Sequence, residues 1–348
     1  MRRLAAVLLP AVLSITVVSM PALAADTYPS QDLSNGPLKL HVYLPDANKG
    51  FYRSTRFDWG GAIGSLEFSG HKYYDNWFKS ISTDPKYWDL NYDDNGDVIS
   101  APQTAGVGPM EEFLTDNAAL NYNEAKPGET FVKIGVGTLR KPKDAKYSHS
   151  DTFEIVDPGK WNVTSGKNWM TFHQVLTDAA SGYAYDYTKT IRLTPGKPEM
   201  VLEHTLKNTG KKAIDTSVYN HNFLTLDNQP PGPDFTIRFP FNPHPKRPVD
   251  ASLGEVRDNQ VIYKHPLEGK ERLAIQMDGF SDKASDNDIT VENRKVGAGV
   301  HIVGDHALSN VGYWSIKTVL TVQPYITMHI EPGQSSSWKY TYTYYTTK

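Results

Sequence analysis

The sequence has 348 residues, a formal net charge of −3, 11% aromatic residues and no cysteine. The lack of cysteine excludes disulfides, thiolate nucleophiles and cysteine-based zinc or iron–sulfur sites. The small net charge, without long basic or acidic runs, gives no indication of a nucleic-acid partner or a membrane surface.

The first 24 residues have the pattern of a secretory signal peptide. Arg2 and Arg3 form a charged start, an apolar run covers residues 4–18, and residues 21–24 end in a small-x-small cleavage pattern. The apolar run is too short for a stable membrane anchor. We therefore predict that residues 1–24 are removed and that the protein is periplasmic or secreted.

Strand and turn patterns dominate the rest of the chain. Alternating or apolar strand-like stretches follow one another at 38–44, 62–68, 131–136, 201–206 and 326–330. After the last of these stretches and the turn at 332–333, aromatic residues occupy every second position: Trp338, Tyr340, Tyr342 and Tyr344. Turn dipeptides recur at 35–36, 95–96, 158–159, 195–196 and 332–333. This rhythm predicts one large all-β domain of antiparallel sheets at residues 35–346.

Helical patterns are scarce. Residues 110–120, after Pro109, are expected to form at most one or two turns, and the polar segment 282–293 is expected to be a long loop. The acidic stretch before Asn95 and Gly96 begins like a calcium loop, but Pro102 stands where a bidentate glutamate is required. A hairpin turn is the better interpretation.

The first candidate site lies at residues 51–62, where two arginines and an aspartate stand among aromatic residues. Arg56 has a planar guanidinium that can bind a sugar hydroxyl or a carboxylate. Trp59 can supply a stacking surface beside it. The alternative is an ordinary surface pair of arginine and aspartate.

The second candidate is the pair of adjacent carboxylates Glu111 and Glu112. On a strand, the two side chains point to opposite faces, so one of them enters a cleft as a general base or hydroxyl acceptor. The alternative is a helix N-terminus, where negative charge is favoured.

The third and most informative candidate is the segment 219–223. On a strand, Tyr219 and His221 share one face, and Asn220 and Asn222 share the other. A phenol and an imidazole two residues apart can form a proton-transfer pair; the alternative is structural packing. The catalytic candidates are His221, Tyr219, Glu111 and Glu112.

Two weaker candidates complete the set. His173 stands near a strand end, where a structural role is the alternative, and the proline-rich loop 227–234 is suited to the rim of a pocket. The sequence has no phosphate-binding glycine loop, no GxSxG elbow and no His-Glu-x-x-His motif. We therefore expect no cofactor and no metal ion.

Three stretches together resemble the galactose mutarotase-like (aldose 1-epimerase) superfamily. Residues 61–71 are similar to its early GA-x-I-x-S-L…G strand and turn. Residues 220–223 are similar to its N-H-x-Y/F-F strand, and residues 330–334, with the aromatic last strand, are similar to its closing segment. The resemblance implies a single antiparallel β-supersandwich.

The resemblance also implies roles for particular residues. His221 matches the family acid that protonates the ring oxygen of the sugar, and Arg56 matches a hydroxyl-binding arginine. The family base is a glutamate shortly before the last hairpin, whereas the nearest position here is Gln323, and an amide cannot act as a carboxylate base. The further histidine of the epimerases, in a His-Gly-Gly turn, has no clear counterpart. The substrate-binding candidates are Arg56, Trp59, Asn222, Gln323 and His173.

The leading hypothesis is an exported aldose 1-epimerase-like isomerase. A polysaccharide lyase is the first alternative, with Tyr219 or His221 as acid or base and Arg56 neutralising a uronic carboxylate. In every case the expected ligand is a sugar or oligosaccharide, and the oligomeric state is left open.

Two further alternatives use the same cleft. A glycoside hydrolase needs two carboxylates flanking the bond. The candidates for that pair are Glu111 or Glu112 with Asp227 or Asp234. A non-catalytic carbohydrate-binding module is favoured by Gln323 and by the aromatic content.

Overall fold

The computed structural model describes residues 28–82, 84 and 89–347. The predicted signal peptide, residues 1–24, lies outside the described residues. Regular structure in the described part consists of β-strands and one short 3-10 turn at Ala284–Asp286. This part of the chain has no helix whose length and apolar character would let it cross a membrane.

The strands are numbered here in chain order. The first half of the chain contains mostly short strands: β1 (Ser30–Ser34), β2 (Leu38–Tyr43), β3 (Ile63–Phe68), β4 (His71–Tyr74), β5 (Ser80–Ile81), β6 (Leu90–Tyr92), β7 (Val98–Ser100), β8 (Gly108–Leu114), β9 (Thr130–Lys133), β10 (Gly137–Arg140), β11 (Glu154–Asp157) and β12 (Lys160–Ser165). The second half contains the longest strands: β13 (Trp169–Asp178), β14 (Tyr183–Leu193), β15 (Glu199–Asn208), β16 (Ile214–Phe223), β17 (Phe235–Arg238), β18 (His244–Pro245), β19 (Gly254–Arg257), β20 (Gln260–Tyr263), β21 (Leu273–Asp278), β22 (Asp288–Asn293), β23 (Ala298–Gly304), β24 (Asn310–Ile316), β25 (Val319–Ile330) and β26 (Ser335–Thr346).

Two large antiparallel sheets form the main layers. The ten-stranded sheet has the order β12-β13-β14-β15-β26-β23-β22-β17-β20-β19, and the six-stranded sheet has the order β18-β21-β24-β25-β16-β8. Three smaller sheets have the orders β1-β2-β3-β4, β11-β10-β9 and β5-β7-β6. The all-β prediction is confirmed.

The predicted aromatic face of β26 lies in the core between the two large sheets. Trp338, Tyr340, Tyr342 and Tyr344 are each at most 2% exposed. The Tyr340 hydroxyl donates to the Pro324 carbonyl at 3.3 Å, and the Tyr342 hydroxyl donates to Asn222 Oδ1 at 2.8 Å. Because both acceptors belong to the six-stranded sheet, this aromatic face joins the two layers.

Two local predictions were wrong. Residues 110–120 were expected to form helical turns, but Gly108–Leu114 is strand β8, because it pairs residue by residue with β16. The segment 282–293 was expected to be a loop, but Asp288–Asn293 is strand β22. Ile289 and Val291 alternate with its polar residues and are buried, which is how a polar stretch forms a half-buried strand.

The hairpin prediction at Asn95 and Gly96 agrees with the structure. Strands β6 and β7 pair in antiparallel fashion on either side of this turn. Asp93 Oδ1 accepts the backbone N–H groups of Asn95 and Asp97, each at 2.9 Å. The acidic side chain therefore stabilises a turn.

A second aromatic cluster covers the other face of the six-stranded sheet. It includes Phe51, Phe57, Trp77, Phe131 and Phe223. This packing holds the loop of residues 51–62 against β8 and β16, which places Arg56 beside the strands that carry the central candidates.

Candidate functional site

A cavity of about 370 Å³ lies on the face of the six-stranded sheet that points away from the ten-stranded sheet. The neighbouring strands β8, β16, β25 and β24 line it with Glu112, Tyr219, His221, Gln323 and Trp314, among others. Loops complete the wall with Arg56, His149, Arg272 and Asp89. Its volume lies within the range of small-molecule sites.

The strand register explains why these side chains meet. Tyr219 stands opposite Glu112 on β8 and opposite Tyr325 on β25. Directly opposed residues of antiparallel strands share one face, so the three form a row across the sheet. His221, two residues along, faces the same way and lies next to Gln323. The predicted common face of Tyr219 and His221 is therefore confirmed.

Glu112 is the centre of a buried ion cluster. Arg56 Nε lies 2.8 Å from Glu112 Oε2, and Lys133 Nζ lies 3.2 Å from Oε1. The Tyr219 hydroxyl donates to Oε2, and Arg56 Nη2 donates to the Tyr219 oxygen at 3.1 Å. We call Arg56, Glu112, Lys133 and Tyr219 the Glu112 cluster.

The charges of this cluster shift the pKa values of its members. Burial alone would raise the pKa of Glu112, but the cations Lys133 and Arg56 outweigh burial and hold that pKa well below its usual range. Burial, and then the Glu112 charge, raises the pKa of Tyr219 well above its usual value. Glu112 is therefore a permanent carboxylate, and Tyr219 keeps its proton at neutral pH.

His221 is enclosed by aromatic rings and only 4% exposed. Its ring stacks on Phe223 at a centroid distance of 4.1 Å and meets Phe57 edge-on at 5.3 Å. Gln323 Nε2 lies 3.1 Å from His221 Nε2, while Nδ1 has no hydrogen-bond partner among the described residues. Burial, and then the Arg56 charge, lowers the pKa of His221 well below its usual value. The imidazole is therefore neutral at neutral pH.

A glycine on the neighbouring strand leaves the space that the Gln323 side chain occupies. Gly312 stands opposite Gln323 in the pairing of β24 with β25. A Cβ at position 312 would lie 2.5 Å from Gln323 Oε1, which is closer than real side chains approach. Gly312 thus leaves room for the Gln323 amide, which also donates to the Thr321 hydroxyl at 2.9 Å.

Glu111 does not reach the cavity. It faces the core between the two large sheets, where Lys189 Nζ, His204 Nε2 at 2.9 Å and Asn220 Nδ2 at 2.9 Å contact its carboxylate. Burial opposes ionisation, but Lys189 and His204 prevail and lower the pKa of Glu111 to about 2. The assignment of Glu111 as a catalytic candidate is corrected, because strand alternation directs only Glu112 into the cavity.

Asp58 lies in the same buried region as Glu111. Its Oδ1 accepts the Gly60 N–H at 2.8 Å, and its Oδ2 accepts the Tyr187 hydroxyl at 3.1 Å. Burial and the nearby Glu111 charge raise the pKa of Asp58 to about 7, against the opposing effect of Lys189. We call Asp58, Glu111, Lys189 and His204 the Glu111 cluster.

Of the substrate-binding candidates, Arg56 and Gln323 line the cavity. Trp59 is buried at 2% exposure and donates its indole N–H to the Ser54 carbonyl at 2.7 Å. Asn222 faces the core and donates to the Val322 carbonyl at 2.9 Å. His173 lies on the ten-stranded sheet, 2.8 Å from Asp186. The last three assignments are corrected, because burial or the opposite sheet separates these side chains from the cavity.

The proline-rich loop also lies elsewhere. Asp227 accepts from Lys72 N at 2.8 Å and lies 2.7 Å from His71 Nδ1. The cavity-lining carboxylates of the described chain are Glu112 and Asp89, so the hydrolase pairs that include Asp227 or Asp234 are not assembled there.

Several residues of the site were not predicted from the sequence: Lys133, His149, Arg272, Asp89 and Trp314. Lys133 had a local signal, since it is a lysine within the apolar run 131–136 and is only 1% exposed. Arg272 donates to Asp89 Oδ2 at 2.9 Å across 183 residues of sequence. No local pattern predicts such a distant contact.

The two histidines of the cavity differ from the others. Nine of the eleven histidines lie within 2.5–3.7 Å of a carboxylate oxygen: His41, His71, His173, His204, His244, His265, His301, His306 and His329. His149 and His221 have no such partner among the described residues. The cavity therefore holds both imidazoles that have no carboxylate of the described residues within ion-pair distance.

No protein-family model and no curated protein sequence matches the chain. Solved structures do match it. The Slr1438 protein from Synechocystis sp. PCC 6803 has a TM-score of 0.53 and 12% identity, over 95% of this chain and 100% of that one. A protein from Escherichia coli K12, described as a candidate aldose 1-epimerase, has a TM-score of 0.50 and 11% identity, over 91% and 99%.

A galactose mutarotase-like protein from Clostridium acetobutylicum is a third match. Its TM-score is 0.51 at 12% identity, and the match covers 90% of this chain and 94% of that one. At this low identity the similarity concerns the arrangement of the strands, and it covers nearly the whole chain. The protein therefore has the galactose mutarotase-like fold, and the resemblance predicted from its sequence is confirmed as a likeness of fold.

Proposed function

We propose that this protein binds a sugar ring in the cavity and exchanges protons with it, as an aldose 1-epimerase does. One observation carries this proposal. His221 and Tyr219 face one cavity, and their surroundings shift their pKa values in opposite directions. At neutral pH these shifts leave His221 unprotonated, able to accept a proton, and Tyr219 protonated, able to donate one. The shared fold with a candidate aldose 1-epimerase and a galactose mutarotase-like protein supports the same class of activity.

In this proposal His221 is the base. The resemblance implies an acid at this position, but a neutral imidazole accepts a proton more readily than it donates one. Nδ1 is enclosed, whereas Nε2 contacts the cavity-lining amide of Gln323. Nε2 is therefore the nitrogen that takes the proton of the anomeric hydroxyl, once that hydroxyl displaces the Gln323 amide from it.

Tyr219 is the proposed acid. As the anomeric carbonyl forms and the bond between the anomeric carbon and the ring oxygen breaks, Tyr219 donates its proton to that oxygen. The Arg56 guanidinium, 3.1 Å from the phenol oxygen, stabilises the phenolate that is left. Ring closure on the other face returns both protons and gives the other anomer.

Glu112 anchors this arrangement rather than acting as the base. Both of its oxygens are occupied by Arg56, Lys133 and Tyr219, so neither is open to a proton of the sugar. Half-buried Trp314 and Tyr325 add aromatic surface on which a sugar ring can pack.

The test is the rate of anomer exchange in single anomers of glucose and galactose, followed by NMR. Wild-type protein is expected to accelerate exchange, and His221→Ala and Tyr219→Phe are each expected to lower that rate at least about 100-fold. His173→Ala, which changes a histidine on the other sheet, is the matched control and should behave like wild type. Unchanged exchange in His221→Ala would overturn the proposal.

A polysaccharide lyase is the second candidate, because the cavity contains two arginines, Arg56 and Arg272, that can neutralise a uronic carboxylate. Ultraviolet absorbance of an unsaturated product, followed with uronic-acid oligosaccharides, identifies that reaction. New reducing ends without such absorbance identify a hydrolase. Saturable binding without any turnover identifies a binding module.

We also propose that residues 1–24 direct export to the periplasm or beyond. The charged start, apolar run and small-x-small end support this proposal. Mass spectrometry of protein from the periplasmic fraction of an expressing bacterium should show a chain that begins after Ala24 or Ala25. An intact N-terminus in the cytoplasmic fraction would contradict it.

A further inference from the structure

The charges around the cavity do not balance. Among the described residues, Arg56, Lys133 and Arg272 contribute three positive charges, and Glu112 and Asp89 contribute two negative ones. The excess positive charge lies in the Glu112 cluster, where two cations share one carboxylate. In that cluster the side chains of Lys133 and Glu112 are 1% exposed and that of Arg56 is 12% exposed.

An unbalanced buried charge is costly unless a ligand offsets it. The chain as a whole is formally negative, at −3, so this excess is a local property of the cavity. Low-dielectric walls strengthen the field of such a charge inside a cavity and attract ligands of the opposite sign.

Both arginines keep donors free for a ligand. Arg56 uses Nε for Glu112 and Nη2 for Tyr219, and its Nη1 has no hydrogen-bond partner in the described part of the chain. Arg272 uses Nη1 for Asp89, and its Nε and Nη2 have no partner among the same residues. A guanidinium with free N–H groups is well suited to bind carboxylate or phosphate oxygens.

The histidines of the cavity respond to the same charge. The Arg56 charge is the largest cause that lowers the pKa of His149, ahead of burial, and it is the second cause at His221. These are also the two histidines without a carboxylate partner. The positive field therefore reaches two separate side chains of the cavity wall.

We propose that the ligand of this cavity is a sugar that carries an anionic oxygen group, a carboxylate or a phosphate, bound by Arg56 and Arg272. This inference rests on the proposed sugar-binding role of the cavity and adds the chemical class of the sugar. Asp89 moderates the affinity, because it holds one N–H of Arg272 and adds a negative charge near the ligand.

Calorimetry on the mature chain tests this inference with matched sugars: glucose, glucuronate and glucose 6-phosphate, and the three galactose counterparts. We expect at least one anionic sugar to bind at least about tenfold more tightly than its neutral counterpart, and its affinity to fall with added salt. A preference for the uronate or for the phosphate identifies which anionic group the site takes. Equal affinity for neutral and anionic sugars, or no binding of any anionic sugar, overturns the inference.

Two variants that change the charge of the cavity in opposite directions test the inference further. Arg272→Gln should weaken binding of the anionic sugar about tenfold, and Asp89→Asn should strengthen it, while neutral sugars respond little to either change. Arg140→Gln is the matched control, because Arg140 is as exposed as Arg272, at 39% against 40%, and also pairs with one carboxylate, 2.9 Å from Glu154, outside the cavity. Equal weakening of neutral and anionic sugars by Arg272→Gln contradicts the inference.

Sugar binding and anomer exchange, measured separately, distinguish failure of this inference from failure of the proposed function. Tight binding of an anionic sugar without anomer exchange contradicts the epimerase proposal and supports the inference. Anomer exchange of neutral sugars with no advantage for anionic ones supports the epimerase proposal and overturns the inference.

Discussion

The guanidinium of Arg56 and the carboxylate of Glu112 form a nearly enclosed ion pair, with Nε 2.8 Å from Oε2, although 56 residues separate them in sequence. Lys133 holds the other carboxylate oxygen. Glu112 thereby joins a loop, strand β8 and strand β9, and it fixes the guanidinium beside Tyr219. The ion pair acts as a positioning device for the cavity.

Replacing Glu112 with glutamine is expected to destabilise the fold and disable the cavity. The change leaves Arg56 and Lys133 buried without an opposing charge, which costs about 3 kcal/mol in free energy of unfolding. Urea unfolding at pH 7 measures the loss, and calorimetry measures sugar binding, which should also be lost. Wild-type stability in Glu112→Gln would show that the cluster does not depend on the carboxylate.

The neighbouring change Glu111→Gln is the matched comparison. It removes the charge that faces Lys189 and His204 and should also cost about 3 kcal/mol. Because Glu111 faces the core, sugar affinity under conditions where the variant is folded should match wild type. Loss of affinity in folded Glu111→Gln would contradict its assignment to the core.

Asp58 predicts a pH dependence of stability. Its pKa is about 7 in the folded protein, above the value of about 3.9 for an unfolded aspartate. The contribution of Asp58 to the free energy of unfolding is therefore present at acid pH and is lost as the pH rises to about 7. Asp58→Asn removes this titration. The free energy of unfolding of the variant minus that of wild type should increase by on the order of 4 kcal/mol between pH 4 and pH 8. Urea unfolding of both proteins at pH 4, 6 and 8 measures the difference, and a constant difference would contradict the raised pKa.

Gln323→Glu should increase proton exchange with the sugar. A carboxylate beside His221 raises the pKa of the imidazole relative to wild type and adds a second base to the cavity. Anomer exchange is expected to accelerate up to about 100-fold. NMR titration of His221 and the exchange rate are measured together. Gln276→Glu, elsewhere in the same cavity, is the control, and an equal gain there would show a general effect of added charge.

Asn222→Ala tests whether Asn222 is structural. The change removes three hydrogen bonds, to the Asn220 and Val322 carbonyls and from the Tyr342 hydroxyl, and should lower the free energy of unfolding by about 2 kcal/mol. Sugar affinity of the folded variant should remain that of wild type. A stable variant with weakened affinity would restore Asn222 to the ligand site.

The sequence by itself determined the properties that depend on neighbouring residues. Backbone geometry makes side chains alternate along a strand, so the common face of Tyr219 and His221 and the opposite faces of Glu111 and Glu112 followed from local spacing. The all-β class followed in the same way from repeated alternation and turn residues. The fold resemblance followed from motifs in the same order along the chain.

Only the tertiary structure decided which face of each strand looks into the cavity. Burial of one face depends on a second sheet formed by distant residues, such as Tyr342 against Asn222. Trp59 and His173 had suitable chemistry but lie in the core and on the other sheet. Arg272 and Asp89 meet across 183 residues. Such contacts are set by packing across the whole fold, because no local rule of the backbone specifies which distant side chains will be neighbours.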